Sequence, residues 1–159
     1  MYLFGGSNGS TDNETLYKLD LNKYLWAVVK PTYHENNKNK HNPLSRDEHS
    51  CCIYGDSMII FGGFAQGEKC NDIFQYHFKS NMWEKIDNQG SEAPCPRVGH
   101  SAVVRIKGDE HAMYIFGGKN DENEKLADTW KFDFNSRTWS EIHQIDVPPP
   151  RSGHAACIF

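Results

Sequence analysis

The 159-residue chain has a formal net charge of −4, a pI near 6.0 and 13% aromatic residues. That balance argues against nucleic acid or an anionic membrane as the main partner, because both need a basic face, and no apolar run approaches the roughly 20 residues of a membrane helix. No basic n-region of a secretory signal precedes the first apolar run, and five irregularly spaced cysteines (Cys51, Cys52, Cys70, Cys95 and Cys157) make a poor disulfide framework, so the expected setting is reducing and cytoplasmic.

Met1 to Phe4 is an apolar run that stops at Gly5-Gly6. Residues 1–30 are predicted to hold three strands, the last carrying Trp26. A long polar loop follows over 31–48, with HENNKNKHN at 34–42. The next unit starts with HSCCIY at 49–54, a short buried strand, and turns at Gly55-Asp56. MIIF at 58–61 is a second buried strand and ends at Gly62-Gly63. NDIFQYHF at 71–78 alternates, with Phe74, Tyr76 and Phe78 on one face, which is the period of a strand. Lys79-Ser80-Asn81 reads as a hairpin turn, and Trp83 opens a polar outer strand. The following unit repeats the series as HSAVVR, MYIF, DTWKFDF and WSEI, and HAACIF at 154–159 matches a first strand again. No stretch has a helical period.

Three landmarks recur in fixed order. The glycine pairs Gly5-Gly6, Gly62-Gly63 and Gly117-Gly118 lie 57 and 55 residues apart. From the second glycine it is 20, 20 and 21 residues to Trp26, Trp83 and Trp139. An R-x-x-H element recurs as Arg46 to His49, Arg97 to His100 and Arg151 to His154. Self-similarity at this period marks a stacked array. Each unit runs from buried to alternating to polar strands, as expected of a small antiparallel sheet packed radially on its neighbours in a β-propeller. The glycines allow a sharp turn with close backbone approach, and the tryptophans supply apolar area for the seams between sheets. Asp72, Asp128 and their equivalent Thr15 are expected to cap a turn just before the third strand. Cys51, Cys52 and Cys157 fall where other repeats have Ala or Val, so they read as small core residues.

This pattern resembles the kelch repeat over nearly the whole chain. The proline-flanked R-x-x-H (APCPRVGHS, VPPPRSGHA) is similar to the type found in host cell factor-like and leucine-zipper-like regulator proteins. The resemblance implies an all-β kelch propeller of four-stranded antiparallel blades and a non-catalytic scaffold that binds another protein or peptide. The chain divides into a partial blade and loop (1–48), two blades (49–99 and 100–153) and one further first strand (154–159). That makes about three blade-equivalents: either a partial propeller or half of a dimeric ring closed by strand exchange.

No catalytic constellation, cofactor motif or zinc motif is present. KNDENEK at 119–125 lacks the glycine and the alternation of a calcium loop. The recurring histidines serve each blade structurally rather than one shared metal site. Functional surface is therefore expected in the loops 7–14, 31–48, 64–71, 88–99, 119–127 and 146–153. Arg46, Arg97 and Arg151 end three of these. Either they brace each blade, or they form a basic rim for an acidic partner. A second functional possibility is the regulatory part of a larger enzyme, such as a serine/threonine phosphatase fusion with catalysis outside these residues.

Overall fold

A computed structural model describes residues 1–9, 13–32 and 42–159. Within them, eleven strands form three antiparallel sheets. The first holds β1 (Tyr2–Leu3), β2 (Leu16–Asp20) and β3 (Leu25–Val29). The second runs in order through β4 (Ser50–Tyr54), β5 (Ser57–Ala65), β6 (Glu68–His77) and β7 (Met82–Ile86). The third holds β8 (Ser101–Lys107), β9 (Glu110–Lys119), β10 (Lys125–Asp133) and β11 (Thr138–Glu141). These are the blades of a partial propeller. Residues 154–159 pair with no strand among the described residues, although His154 occupies its repeat position. Of strands from different sheets, β4 and β8 approach most closely, so the first strands of the second and third sheets lie side by side.

Tight turns set the register. Asp20 accepts from the main-chain N–H groups of Asn22 and Lys23, and Asp133 from those of Asn135 and Ser136, which closes the β2–β3 and β10–β11 hairpins. Tyr24 and Arg137 take the positive φ that ends these turns, and Asn81 does the same between β6 and β7.

β5 alternates strictly because it is covered on both sides. Met58 and Ile60 pack towards the first sheet with Phe4, Leu16, Phe74, Tyr76 and Trp83. Ile59 and Phe61 pack towards the third with Ile73, Ile86, Met113, Ile115, Phe132 and Trp139. Each such side chain contributes about 1.5–3 kcal/mol on burial. Trp83 lies 5.3 Å from the Phe4 ring, and Trp139 lies 5.1 Å from that of Phe61. These two tryptophans seal the two seams. Among the described residues, Trp26 faces no neighbouring sheet; it is half exposed and meets Tyr17 edge-on.

The second and third glycine pairs do not end their strands. β5 continues to Ala65 and β9 to Lys119, with a bulge at the glycines. Residues 64–71 are therefore mostly a hairpin, turning at Gln66-Gly67, rather than a loop. All six glycines have positive φ. A Cβ on Gly63 (φ 93°) would stand 2.6 Å from the Asp47 carbonyl oxygen, whereas one on Gly108 (φ 59°) would meet open space. Gly63→Ala is expected to lose about 1–3 kcal/mol more than Gly108→Ala, read as the difference in urea midpoints. Equal losses would show that close approach contributes nothing beyond backbone strain.

The cysteines are not core residues. All five are free; Cys51, Cys95 and Cys157 are exposed, and Cys52 and Cys70 are partly so. The first strand of the second and third sheets has one hydrogen-bonded neighbour and an open edge, which the repeat alignment alone does not reveal.

Candidate partner-binding face

The R-x-x-H elements sit where one blade hands over to the next. The carbonyls of Arg46, Arg97 and Arg151 accept from the N–H of Gly6, Gly63 and Gly118 in the preceding sheet, at 2.8, 3.0 and 2.9 Å. The first glycine of each pair lies against the histidine ring that follows: a Cβ on Gly5, Gly62 or Gly117 would come within 2.8, 3.0 and 3.3 Å of Cε1 of His49, His100 and His154. Glycine and histidine thus recur together because each packs on the other across a seam.

The arginine side chains turn into their own blade. Arg97 donates to both carboxylate oxygens of Asp128 at 2.8 and 2.7 Å, to the Gly117 carbonyl at 3.0 Å and to the Cys95 carbonyl at 3.2 Å. Arg46 repeats this with Asp72 at 2.6 and 3.3 Å, the Gly62 carbonyl at 2.9 Å and the Leu44 carbonyl at 3.2 Å. The two arginines are 1% and 0% exposed. Burial pushes the Asp128 carboxyl up, but the Arg97 fork, its charge and the Trp130 indole outweigh this and hold it below the usual aspartate range. Asp72 and Asp128 lie inside β6 and β10 and hold an arginine rather than capping a turn. Arg46 and Arg97 are therefore withdrawn from the rim, where an acidic partner would have to meet them. Arg151 is exposed; its Nε donates to the Pro149 carbonyl.

The histidines form a second inward series. His100 Nε2 lies 2.8 Å from Ser50 Oγ, and His154 Nε2 lies 2.9 Å from Ser101 Oγ, so His100 ties the start of β8 to β4 and His154 ties the C-terminal segment to β8. Among the described residues, Nδ1 of His49, His100 and His154 is buried without a well-formed hydrogen bond, although the Phe61 main chain lies close enough to His100 to oppose part of its shift. Burial, then the Arg46 charge, lowers His49 to about 4. Burial, then the Arg97 charge and the flanking histidines, lowers His100 to about 3. Among the described residues, no group of three or more His, Cys, Asp and Glu side chains is placed to hold a metal ion.

What remains exposed is the set of hairpins and loops at the strand ends. The stretches 10–12 and 33–41, most of the expected insertion at 34–42, lie outside the described residues. Between the second and third sheets, a cavity of about 570 Å³ is lined by Phe64, Glu68, Lys69, Pro96, Asp121 and Asn123, with Gly67 at its edge. Phe64 exchanges two main-chain hydrogen bonds with Asp47, at 2.9 and 3.1 Å, and is 41% exposed. Sequence reasoning reached the segments that line this cavity but not Phe64. Its only signal was an aromatic after the glycine pair, where the other repeats have Ser7 and Lys119.

The profile of the KLHDC2/KLHL20/DRC7 Kelch-repeats domain matches residues 1–159. The leucine-zipper-like transcriptional regulator 1 homolog of Drosophila melanogaster is 30% identical over 94% of this chain and 15% of its own length. Human Kelch domain-containing protein 10 is 32% identical over 99% of this chain and 35% of its own. Human Host cell factor 2 is 31% identical over 99% of this chain and 21% of its own. The chain thus spans about a third or less of each of these relatives. With its three repeats, their seams and this match, the chain belongs to the kelch-repeat proteins.

Proposed function

We propose that this chain is a non-catalytic scaffold that binds another polypeptide through its loop face, in the cytoplasm. Kelch-repeat domains generally bind proteins. The observation that carries the reading here is the cavity beside Phe64, an aromatic held rigidly and yet exposed on loops, where binding residues concentrate. The test is affinity capture of a partner followed by hydrogen exchange on the purified complex. Protection is expected at 64–69 and 119–125. Protection confined to the outer strands β7 and β11 would remove the loop face from consideration.

Two companion proposals follow. The chain spans only part of its relatives, so it also fits the regulatory segment of a larger enzyme with chemistry elsewhere, a serine/threonine phosphatase fusion being one arrangement. The first sheet also presents Leu3, Trp26 and Val28 at 50%, 50% and 55% exposure, on the face that Trp83 and Trp139 cover in the internal seams. Phe116, the equivalent of Phe4 and Phe61, lies on the opposite open face of the third sheet. Two copies joined through these faces, with exchange of 154–159, form a homodimer. Light scattering after size exclusion gives twice the chain mass if they do, and the single chain mass rules it out.

A further inference from the structure

Phe64 and Lys69 face each other across the β5–β6 hairpin. The Lys69 ammonium donates to the Asn120 carbonyl and, at 2.8 Å, to Asn123 Oδ1 in the neighbouring sheet. The receiving turn is itself closed, with Asn120 N–H on the Glu124 carbonyl at 3.1 Å and Glu124 N–H on Asn120 Oδ1 at 2.9 Å. The cavity wall is therefore a fixed bridge between two blades, and Lys69, the one cation that lines it among the described residues, is already engaged.

Among the described residues, the other charges lining the cavity are of one sign. Glu68 and Asp121 line the cavity, are exposed and form no ion pair among the described residues. Arg46 and Arg97 are buried against Asp72 and Asp128 and contribute nothing to the rim. An acidic occupant would meet two carboxylates. A wholly apolar one would dehydrate them without compensation. A cation on an aliphatic stem satisfies both features: the stem and charge lie on an aromatic face, and the head pairs with carboxylates, for which a guanidinium is the best shaped.

We propose that this cavity receives an arginine or lysine side chain of the partner polypeptide, its stem on Phe64 and its charge between Glu68 and Asp121. The proposal rests on the loop-face reading and specifies the partner's charge: basic, not acidic.

The test is a selection of peptides from a random display library on the purified chain. The enriched peptides are then titrated against wild type, Phe64→Ala and the double variant Glu68→Gln/Asp121→Asn, at low and high salt, and mapped by hydrogen exchange. All three replaced side chains are exposed, and unchanged urea midpoints confirm that the variants fold. Peptides carrying Arg or Lys are expected to dominate, to bind either variant about tenfold more weakly and to weaken as salt rises. Loop-binding peptides that are acidic or uncharged, or basic ones that bind the variants as tightly as wild type, overturn the basic-side-chain proposal alone. Absence of any peptide mapping to the loops overturns it together with the loop-face reading.

Discussion

Replacing Arg97 by alanine is expected to destabilise the chain by about 3–5 kcal/mol, the cost of stranding one member of a buried pair. The side chain is fully buried and is the shared donor for Asp128, the Gly117 carbonyl and the Cys95 carbonyl. Its removal strands a carboxylate that is only 23% exposed and leaves the Trp130 indole as that group's remaining side-chain donor. It also frees the bulged glycine strand, because the Gly117 carbonyl loses its donor just where Gly118 meets Arg151. The same change at Arg151, exposed and bonded through its side chain only to Pro149 among the described residues, is expected to stay within about 0.5 kcal/mol. The comparison uses urea midpoints at neutral pH. Equally small losses at the two positions would mean that the repeated arginine acts through its backbone contact alone. Asp128→Asn keeps the shape but not the charge, and its cycle with Arg97→Ala separates their coupling from the packing of each.

The repeat and the blade architecture were readable because they rest on periodicity. Glycine pairs, tryptophans and R-x-x-H recur at nearly constant spacing, and alternation in Phe74, Tyr76 and Phe78 follows from one face being covered. Strand lengths were less readable. A double glycine ordinarily marks a strand end, yet here positive φ makes a bulge and the ladder resumes at Gly63–Cys70. The arginine role was half readable. Its recurrence suggested a brace, but nothing local links Arg46 to Asp72, 26 residues away, until the bulge at Gly62 brings the carbonyl and the carboxylate to one guanidinium. Placing the aspartates just outside the strand hid the pairing. Phe64 was missed because attention to what repeats draws the eye away from a position where one repeat departs.

Acid should destabilise this protein well above the range in which carboxylates titrate, and the buried histidines give the reason. An unfolded histidine has a pKa near 6.5, whereas His49 is lowered to about 4 and His100 to about 3. Below pH 6.5 the unfolded chain takes up protons that the folded chain refuses, so stability falls as pH falls. The loss continues until the folded pKa values are reached, and stability is complete only above 6.5. Each site approaches a slope of about 1.4 kcal/mol per pH unit. Together the two should cost about 4 kcal/mol between pH 7 and 5, a large part of the roughly 5–15 kcal/mol that holds a domain together. Asp128, with its pKa lowered, adds a separate loss only as pH falls below the ordinary aspartate range. Urea midpoints from pH 7 to 5 measure the slope. His100→Gln replaces the ring with a neutral amide that can still reach Ser50, and should remove about half of it. A wild-type midpoint that does not move over that interval would mean that the folded histidines do accept protons. The buried Nδ1 atoms would then be the place to look for the group that stabilises the charge.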